Sequence, residues 1–347
     1  MIAVVTGSSG FIGSHLVDAL LARGATVRAL VREGSVADAL DARVQRSVVD
    51  LLDSRSVREA AAWEDATHVF HLGGVTMRRT LAQFRHGNVV PTANVLAAVA
   101  ARAGRTPPRV VVVSSQAAAG PASAPNKPVR EEDPPRPIEG YGQSKLEAEQ
   151  AAHLYDGTLP ITIVRPAAVY GPRDRDFLRV FRLATRSVAL HAVPRDHVFS
   201  IVHVADTVSA LLLAAEQPAA VGRTYFVANE APTTWRELYA AIARTAEVTP
   251  AIELQVPLPA LALAGLAGDA VSALTGWHSL ANGHKTRLAR PRWWLCDATR
   301  AGAELGWRQS KTLQEGLRET YLWYLQAGWM RARTPRTAPI PSKDSRV

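Results

Sequence analysis

Short runs of β-branched and apolar residues alternate with amphipathic stretches through the first half of the chain. Strand-like runs occupy residues 2–6, 26–31, 44–50, 67–72 and 109–115, and helical patterns occupy 13–23, 88–103 and 141–154 between or after them. A strand, a crossover helix and another strand, repeated, predict βαβ units and an α/β fold with a doubly wound parallel sheet. Residues 121–137 carry six prolines and scattered charge, which excludes a central strand or long helix and predicts a loop rimming the active site. Strand-like runs return at 161–169, 199–204 and 224–227.

Beyond them the pattern becomes helical. Thr234-Trp-Arg-Glu237 has the form of a capping box, with residues 238–243 continuing the helix. The expected organisation is a Rossmann-like nucleotide domain over 1–170, to which 197–228 returns. A smaller, mainly helical substrate domain takes 171–196 and 229–332, and a Pro-rich disordered tail takes 333–347. The apolar run 258–274 contains Pro259, Gly265, Gly268, Asp269 and Ser272, so it reads as a packed helix rather than a membrane span and leaves room only for weak peripheral membrane contact. Six of the eight tryptophans follow residue 275: Trp277, Trp293, Trp294, Trp307, Trp323 and Trp329. Leu313, Leu317, Tyr321, Tyr324 and Leu325 share a helical face, which favours tryptophans docking a last helix over tryptophans lining a pocket.

Composition narrows the function. With 347 residues, 47% hydrophobic and 20% charged, the chain can bury a large core. A single cysteine, Cys296, excludes an internal disulfide, and no Cys or His spacing matches a zinc site, so no metal is expected. The first strand follows Met1 directly, leaving no room for a secretion signal, and a cytoplasmic protein is expected. The net charge of +9 comes from arginines spread along the chain without a basic run, which suits an anionic small molecule and argues against nucleic acid.

Two motifs carry chemistry. Thr6-Gly7-Ser8-Ser9-Gly10-Phe11-Ile12-Gly13 closes the first strand and opens the first helix, where glycines let the backbone approach a pyrophosphate and the helix start offers free amides. Tyr141 and Lys145 lie four residues apart, on one helical face. A phenol titrates near 10, too high for a neutral-pH base, but an adjacent ammonium favours phenolate, so Lys145 is expected to activate Tyr141.

With the Gly-x-x-Gly-x-x-Gly loop, Val49-Asp50-Leu51, Phe70-His71-Leu72-Gly73-Gly74, Asn88-Val-Val-Pro-Thr92-Ala-Asn94, Tyr141-Gly-Gln-Ser-Lys145 and Arg165-Pro166-Ala-Ala-Val169-Tyr170-Gly171-Pro172, the chain resembles the extended short-chain dehydrogenase/reductase family, also called the NAD-dependent epimerase/dehydratase family. The resemblance covers nearly the whole chain; Pro91 replaces the family's usual Gly. It implies an NAD(P)-dependent oxidoreductase in which Tyr141 exchanges a proton with substrate and Ser115 holds the same oxygen. Ser114 is the alternative, since strand neighbours face opposite ways. It also implies that Lys145 binds the nicotinamide ribose, that Asp50 and Leu51 lie at the adenine, that Leu72, Gly73 and Gly74 line the cofactor, and that Pro166 and Val169 lie beside the nicotinamide. A homodimer through 88–103 and 141–154 is implied as well. At the end of the second strand Val31 stands where an NAD enzyme's acid belongs and Arg32 follows, favouring NADP; Glu33, one register on, keeps NAD as the alternative.

For the substrate, nucleotide-sugar members of the family carry Asn where this chain has Ala168, and Arg where it has Phe199. Arg195 or Arg173 would have to supply the missing charge. The chain is more similar to the 3β-hydroxysteroid dehydrogenase and dihydroflavonol reductase branches, which implies a secondary alcohol or ketone on an apolar or ring-containing molecule. A nucleotide-sugar epimerase retaining NAD and a noncatalytic NAD(P)-binding sensor or scaffold are the competing readings.

Overall fold

The computed structural model describes residues 1–34, 40–102, 104, 106–186, 188–191, 193–248, 252–257, 259–260, 263 and 290–332. The chain begins β1 (Ile2–Thr6), α1 (Phe11–Ala22), β2 (Thr26–Val31), β3 (Gln45–Val48), α2 (Ser54–Glu59), β4 (His68–His71), α3 (Leu81–Ala101) and β5 (Arg109–Val113). It continues α4 (Gln116–Ala119), α5 (Gly140–His153), β6 (Ile161–Pro166), β7 (Ala168–Tyr170), α6 (Arg175–Ala184), β8 (Val188–His191), β9 (Val198–Phe199), β10 (Ile201–His203), α7 (Val204–Glu216) and β11 (Thr224–Val227). The last elements are β12 (Thr233–Thr234), α8 (Trp235–Thr245), β13 (Ile252–Gln255), β14 (Trp293–Trp294), α9 (Thr299–Leu305) and α10 (Leu313–Gln326).

Seven strands form one sheet in the order β3-β2-β1-β4-β5-β6-β11, every pair parallel. This is the doubly wound order with one added strand, and its reversal lies between β1 and β4, the position at which folds of this order bind ligands, outside the carboxyl ends of the strands. Both faces are covered, which is why β1 and β5 are apolar at successive positions. Val5, Val27, Val111 and Val164 pack on one face with Leu16, Val17 and Leu20 of α1 and Leu211 of α7. Val4, Leu30, Val69, Val112 and Ile163 pack on the other with Val95, Leu96 and Val99 of α3. Each such side chain contributes about 1.5–3 kcal/mol when fully buried.

A third core gathers Tyr170, Phe181, Leu238, Ile242, Leu317, Tyr321 and Tyr324 from β7, α6, α8 and α10. The capping box of α8 is complete, Thr234 and Glu237 each satisfying the other's backbone amide. The tryptophans in the described region dock elements: Trp329 stacks on Tyr324 with centroids 5.9 Å apart, and buried Trp307 donates to the Asp206 carbonyl at 2.9 Å. Asp206 in turn accepts the amide of Ser310 at 2.9 Å and its hydroxyl at 2.5 Å, so the segment leading into α10 is tied to the start of α7.

Several elements differ from their expected form. Helix α3 begins at Leu81 rather than at residue 88, because Thr80 caps it by accepting from the Gln83 amide at 3.2 Å; its largely exposed first two turns bury only Phe84, too little to mark that start by apolar periodicity. The run 161–169 is broken at Ala167, after which β7 leaves the sheet to pair with β10. The loop over 121–137 carries no helix or extended strand, as its prolines require. Most of 258–274, Trp277 and the tail 333–347 fall outside the described residues. Among the described residues no helix is long and apolar enough to cross a membrane, and no group of three or more His, Cys, Asp or Glu could hold a metal ion.

One buried ion pair crosses from α5 to β6: Arg165 donates to both Glu149 oxygens at 2.8 and 2.6 Å, with side chains 7% and 3% exposed. Removing one partner strands the other charge in a dry interior. Glu149→Ala is therefore expected to lower unfolding free energy by about 3–5 kcal/mol in urea melts, whereas Arg23→Ala, which breaks the exposed pair with Glu216, should cost under about 1 kcal/mol.

Candidate functional site

The predicted site residues converge on the carboxyl edge of the sheet. Residues 7–13 follow β1, Arg32 follows β2, Asp50 and Leu51 follow β3, Leu72, Gly73 and Gly74 follow β4, Ser115 follows β5, and Pro166 and Val169 close β6 and line β7. Close approach sets the glycine loop. Gly7 has φ +67°, and a Cβ on Gly13 would lie 2.0 Å from the Gly7 carbonyl oxygen, so the turn cannot close with a larger residue there.

Helix α1 starts on Gly10 with no side-chain cap and no acidic residue in its first turn. Its first amides therefore lack a capping acceptor, Ser9 and Gly10 are exposed above them, and the Ser8 hydroxyl is buried without a partner. These features fit a pyrophosphate at the helix start. Arg32 and Asp50 are both exposed along the same edge, and one Asp50 oxygen accepts from the Leu52 amide at 2.9 Å.

A relay of buried hydrogen bonds supports the floor of the cleft. Thr6 Oγ1 lies 2.8 Å from His71 Nδ1 and accepts from the Gly73 amide at 3.0 Å; His71 Nε2 lies 3.0 Å from Thr92 Oγ1, which donates to the Asn88 carbonyl at 2.7 Å. The Thr92 proton is thus committed, so His71 Nε2 must be the donor to Thr92 and Nδ1 the acceptor from Thr6, the neutral tautomer. Burial pushes His71 down to about 3, helped by the Lys145 charge. Asn88 extends the relay, its Nδ2 donating to Ser144 at 2.8 Å, and Ser144 donates to the Tyr141 carbonyl at 2.7 Å.

Helix α5 presents Tyr141 and Lys145. Burial pushes the phenol up to about 12, opposed by a hydrogen bond with Ser115. Ser115 is the hydroxyl that meets the tyrosine and also caps α4, accepting from Ala117 at 3.1 Å, while the Ser114 hydroxyl is buried without a partner. Lys145 Nζ donates to the Val113 carbonyl at 2.6 Å; burial lowers it to about 8, against the raising charge of Glu149. Lys145 stands one helical turn from Tyr141, with its ammonium held by that carbonyl. Phe84 of α3 packs on Tyr141 with centroids 6.1 Å apart.

Sequence reading assigned no role to Glu139, Phe84, Thr6 or the Val113 carbonyl, and it noted His71, Asn88 and Thr92 only as parts of a resemblance. A backbone acceptor leaves no trace in residue identity. Glu139 was legible only as an acid two positions before the tyrosine.

The comparisons agree with this architecture. The sequence profile of the NAD dependent epimerase/dehydratase family matches residues 3–228, and the chain belongs to that family. It is an oxidoreductase-type enzyme: it is 31% identical to the 4-hydroxy-2-methyl-3-oxo-4-farnesyl-3,4-dihydroquinoline-1-oxide ketoreductase of Stigmatella aurantiaca, over 90% of this chain and 93% of that protein. It is 30% identical to the ceramide reductase of Caulobacter vibrioides, over 95% of this chain and 96% of that protein. The crystal structure of the Thermus thermophilus UDP-glucose 4-epimerase complex with NAD superposes with a TM-score of 0.75 at 24% identity, covering 94% of this chain and all of that one (100%), a likeness of fold.

His71 gives this site a pH signature. Its folded pKa lies below its ordinary 6.5, so between about 3 and 6.5 the unfolded chain binds the extra proton and stability falls with pH. Between pH 7 and pH 5 the loss from this group is about 2 kcal/mol. Urea melts at both values should show that His71→Gln loses this slope while being less stable at pH 7.

Proposed function

We propose that the protein is a dehydrogenase/reductase that exchanges its cofactor, transferring hydride between NADP(H) and a ketone or secondary alcohol on an apolar or ring-containing small molecule. The observation that carries the reading is Tyr141, hydrogen-bonded to Ser115 at the carboxyl end of β5, with Lys145 buried one helical turn away. A nicotinamide cofactor supplies or takes the hydride when bound; the proton is handled by the chain. Ser115 holds the substrate oxygen, Tyr141 gives it a proton in reduction or removes one in oxidation, and Lys145 stabilises the phenolate left behind.

Two features support an apolar substrate over a nucleotide sugar. Phe199 is buried against Trp235, with centroids 4.7 Å apart, and offers no charge to a diphosphate. The two arginines that could replace that charge are engaged elsewhere, Arg173 with Asp18 at 2.7 Å and Arg195 with Glu253 at 3.6 Å. The names of the ketoreductase and ceramide reductase relatives point to lipid-like substrates of the same class. For the cofactor, exposed Arg32 beyond β2 is the group that would grip a 2'-phosphate.

Tyr141→Phe should lower turnover at least about 100-fold while leaving the dissociation constant for NADPH within about twofold. Arg32→Ala should weaken NADPH about 10- to 100-fold and leave NADH unchanged, as loss of a charge-assisted phosphate contact requires. Stoichiometric NAD released on denaturing the purified protein would overturn the exchanging-reductase reading in favour of an epimerase.

A further inference from the structure

A cavity of about 580 Å³ opens beside β10, within the range of roughly 300–1,000 Å³ in which proteins hold small molecules. Its walls come from the proline-rich loop, from Ser200 between β9 and β10, from residues 228–232 after β11, and from residues 295–309 around α9. The glycine loop, Ser115, Tyr141 and Lys145 contribute nothing to it. The cavity is nevertheless a neighbour of the catalytic side, because the Ser200 carbonyl accepts from the amide of Ala168 in β7 at 3.4 Å.

Most polar groups of the wall already have partners. Asp297 accepts from Arg130 at 3.2 Å and from the Thr299 hydroxyl at 2.6 Å, and Ser200 Oγ accepts from the Cys296 amide at 3.2 Å. Gln309 Oε1 accepts from the Glu230 amide at 2.9 Å, and the Trp307 indole N–H is committed to the Asp206 carbonyl, so Trp307 offers the cavity only its ring. Asn229 is different. Its own amide fixes it in place by donating to the Ile201 carbonyl at 2.7 Å, and the residue is 7% exposed, yet its Oδ1 is buried without a partner. A buried amide oxygen calls for a donor. Pro128, Leu295 and Trp307 supply apolar wall. Exposed Glu230 and Arg308 carry opposite charges at the rim, which favours neither an anion nor a cation.

We infer that this cavity is a second small-molecule site, for a neutral molecule that joins an apolar ring to an N–H or O–H donor. The donor meets Asn229 Oδ1 and the ring lies against Leu295 and Trp307. The inference stands apart from the reductase reading, since no step of that chemistry passes through the cavity. Two features of the chain make it testable. Cys296 lines the cavity and is the only cysteine in the sequence, so 13C-labelled cysteine places a single NMR signal in the wall. Gly302 also lines it, and a Cβ there would meet only the Trp307 carbonyl oxygen at 3.5 Å, an ordinary contact. A leucine at 302 can therefore fill the cavity from a helix that tolerates it well.

The probe is benzamide, titrated into the full chain while the Cys296 signal is followed. The signal should shift saturably with a midpoint of about 1–10 mM, as a ligand of this size allows. Asn229→Ala should raise that midpoint about 3- to 10-fold, the effect of one lost hydrogen bond, and Gly302→Leu should abolish the shift with circular dichroism unchanged. No saturable shift by about 50 mM overturns the inference. So does a shift that persists in Gly302→Leu, which puts the probe elsewhere, or an unchanged midpoint in Asn229→Ala, which leaves the amide oxygen to solvent. Should Gly302→Leu not fold, the wild-type and Asn229→Ala titrations decide by themselves. None of these readings requires turnover or a nicotinamide cofactor, so they fail or succeed independently of the Tyr141→Phe kinetics.

Discussion

The buried hydrogen-bond relay from Thr6 through His71, Thr92 and Asn88 to Ser144 is the constraint on which the site depends. It joins the end of β1, the end of β4, the middle of α3 and the first turns of α5, so the cofactor side and the tyrosine side of the cleft are set by one network. Every member is satisfied only if all are present. Leaving one buried donor or acceptor unpaired costs about 1–3 kcal/mol, so the relay acts as a gauge of correct packing rather than as a sum of small gains. The neutral histidine at its centre is a consequence: a proton added to Nδ1 would break the contact with Thr6, which also receives the Gly73 amide.

The electrostatics of the cleft follow from what is absent from its surface and what is buried beneath it. Helix α1 opens without an acid, leaving its positive end for an anion. Below, Lys145, Glu149 and Arg165 form an alternating series of charges along α5 and β6, each held by a neighbour or a carbonyl. Such a series is costly to bury unless every partner is present, and it holds α5 in register with the sheet at the level where Tyr141 emerges.

The C-terminal elements reach the nucleotide-binding sheet through Asp206. Its carboxylate binds the Ser310 amide and hydroxyl, and its carbonyl receives the Trp307 indole. Asp206 therefore serves as a joint, while the third hydrophobic core forms from β7, α6, α8 and α10. Gly316 sits where a Cβ would collide with the Tyr170 hydroxyl at 2.3 Å, so α10 packs directly on the strand that leaves the cleft.

The sequence alone determined the parallel sheet, the glycine turn and the Tyr141 and Lys145 pair, because each is written in local pattern: continuous apolar runs in strands covered on both faces, glycines where backbones touch, and four-residue spacing on a helix. It also foretold the α8 capping box and the proline-rich loop from a few adjacent residues. Only the tertiary structure decided the rest. Which serine hydroxyl meets Tyr141 depended on the packing of α5, and the early start of α3 on a threonine cap that apolar periodicity cannot register. The engagement of Arg173 and Arg195 depended on acids far away in sequence, Asp18 and Glu253. The burial of Tyr141 and the Val113 carbonyl that holds Lys145 are likewise properties of the assembled interior, which spacing along a helix does not register. Local pattern names the groups; desolvation and long-range pairing, which exist only once the chain has packed, set their charge.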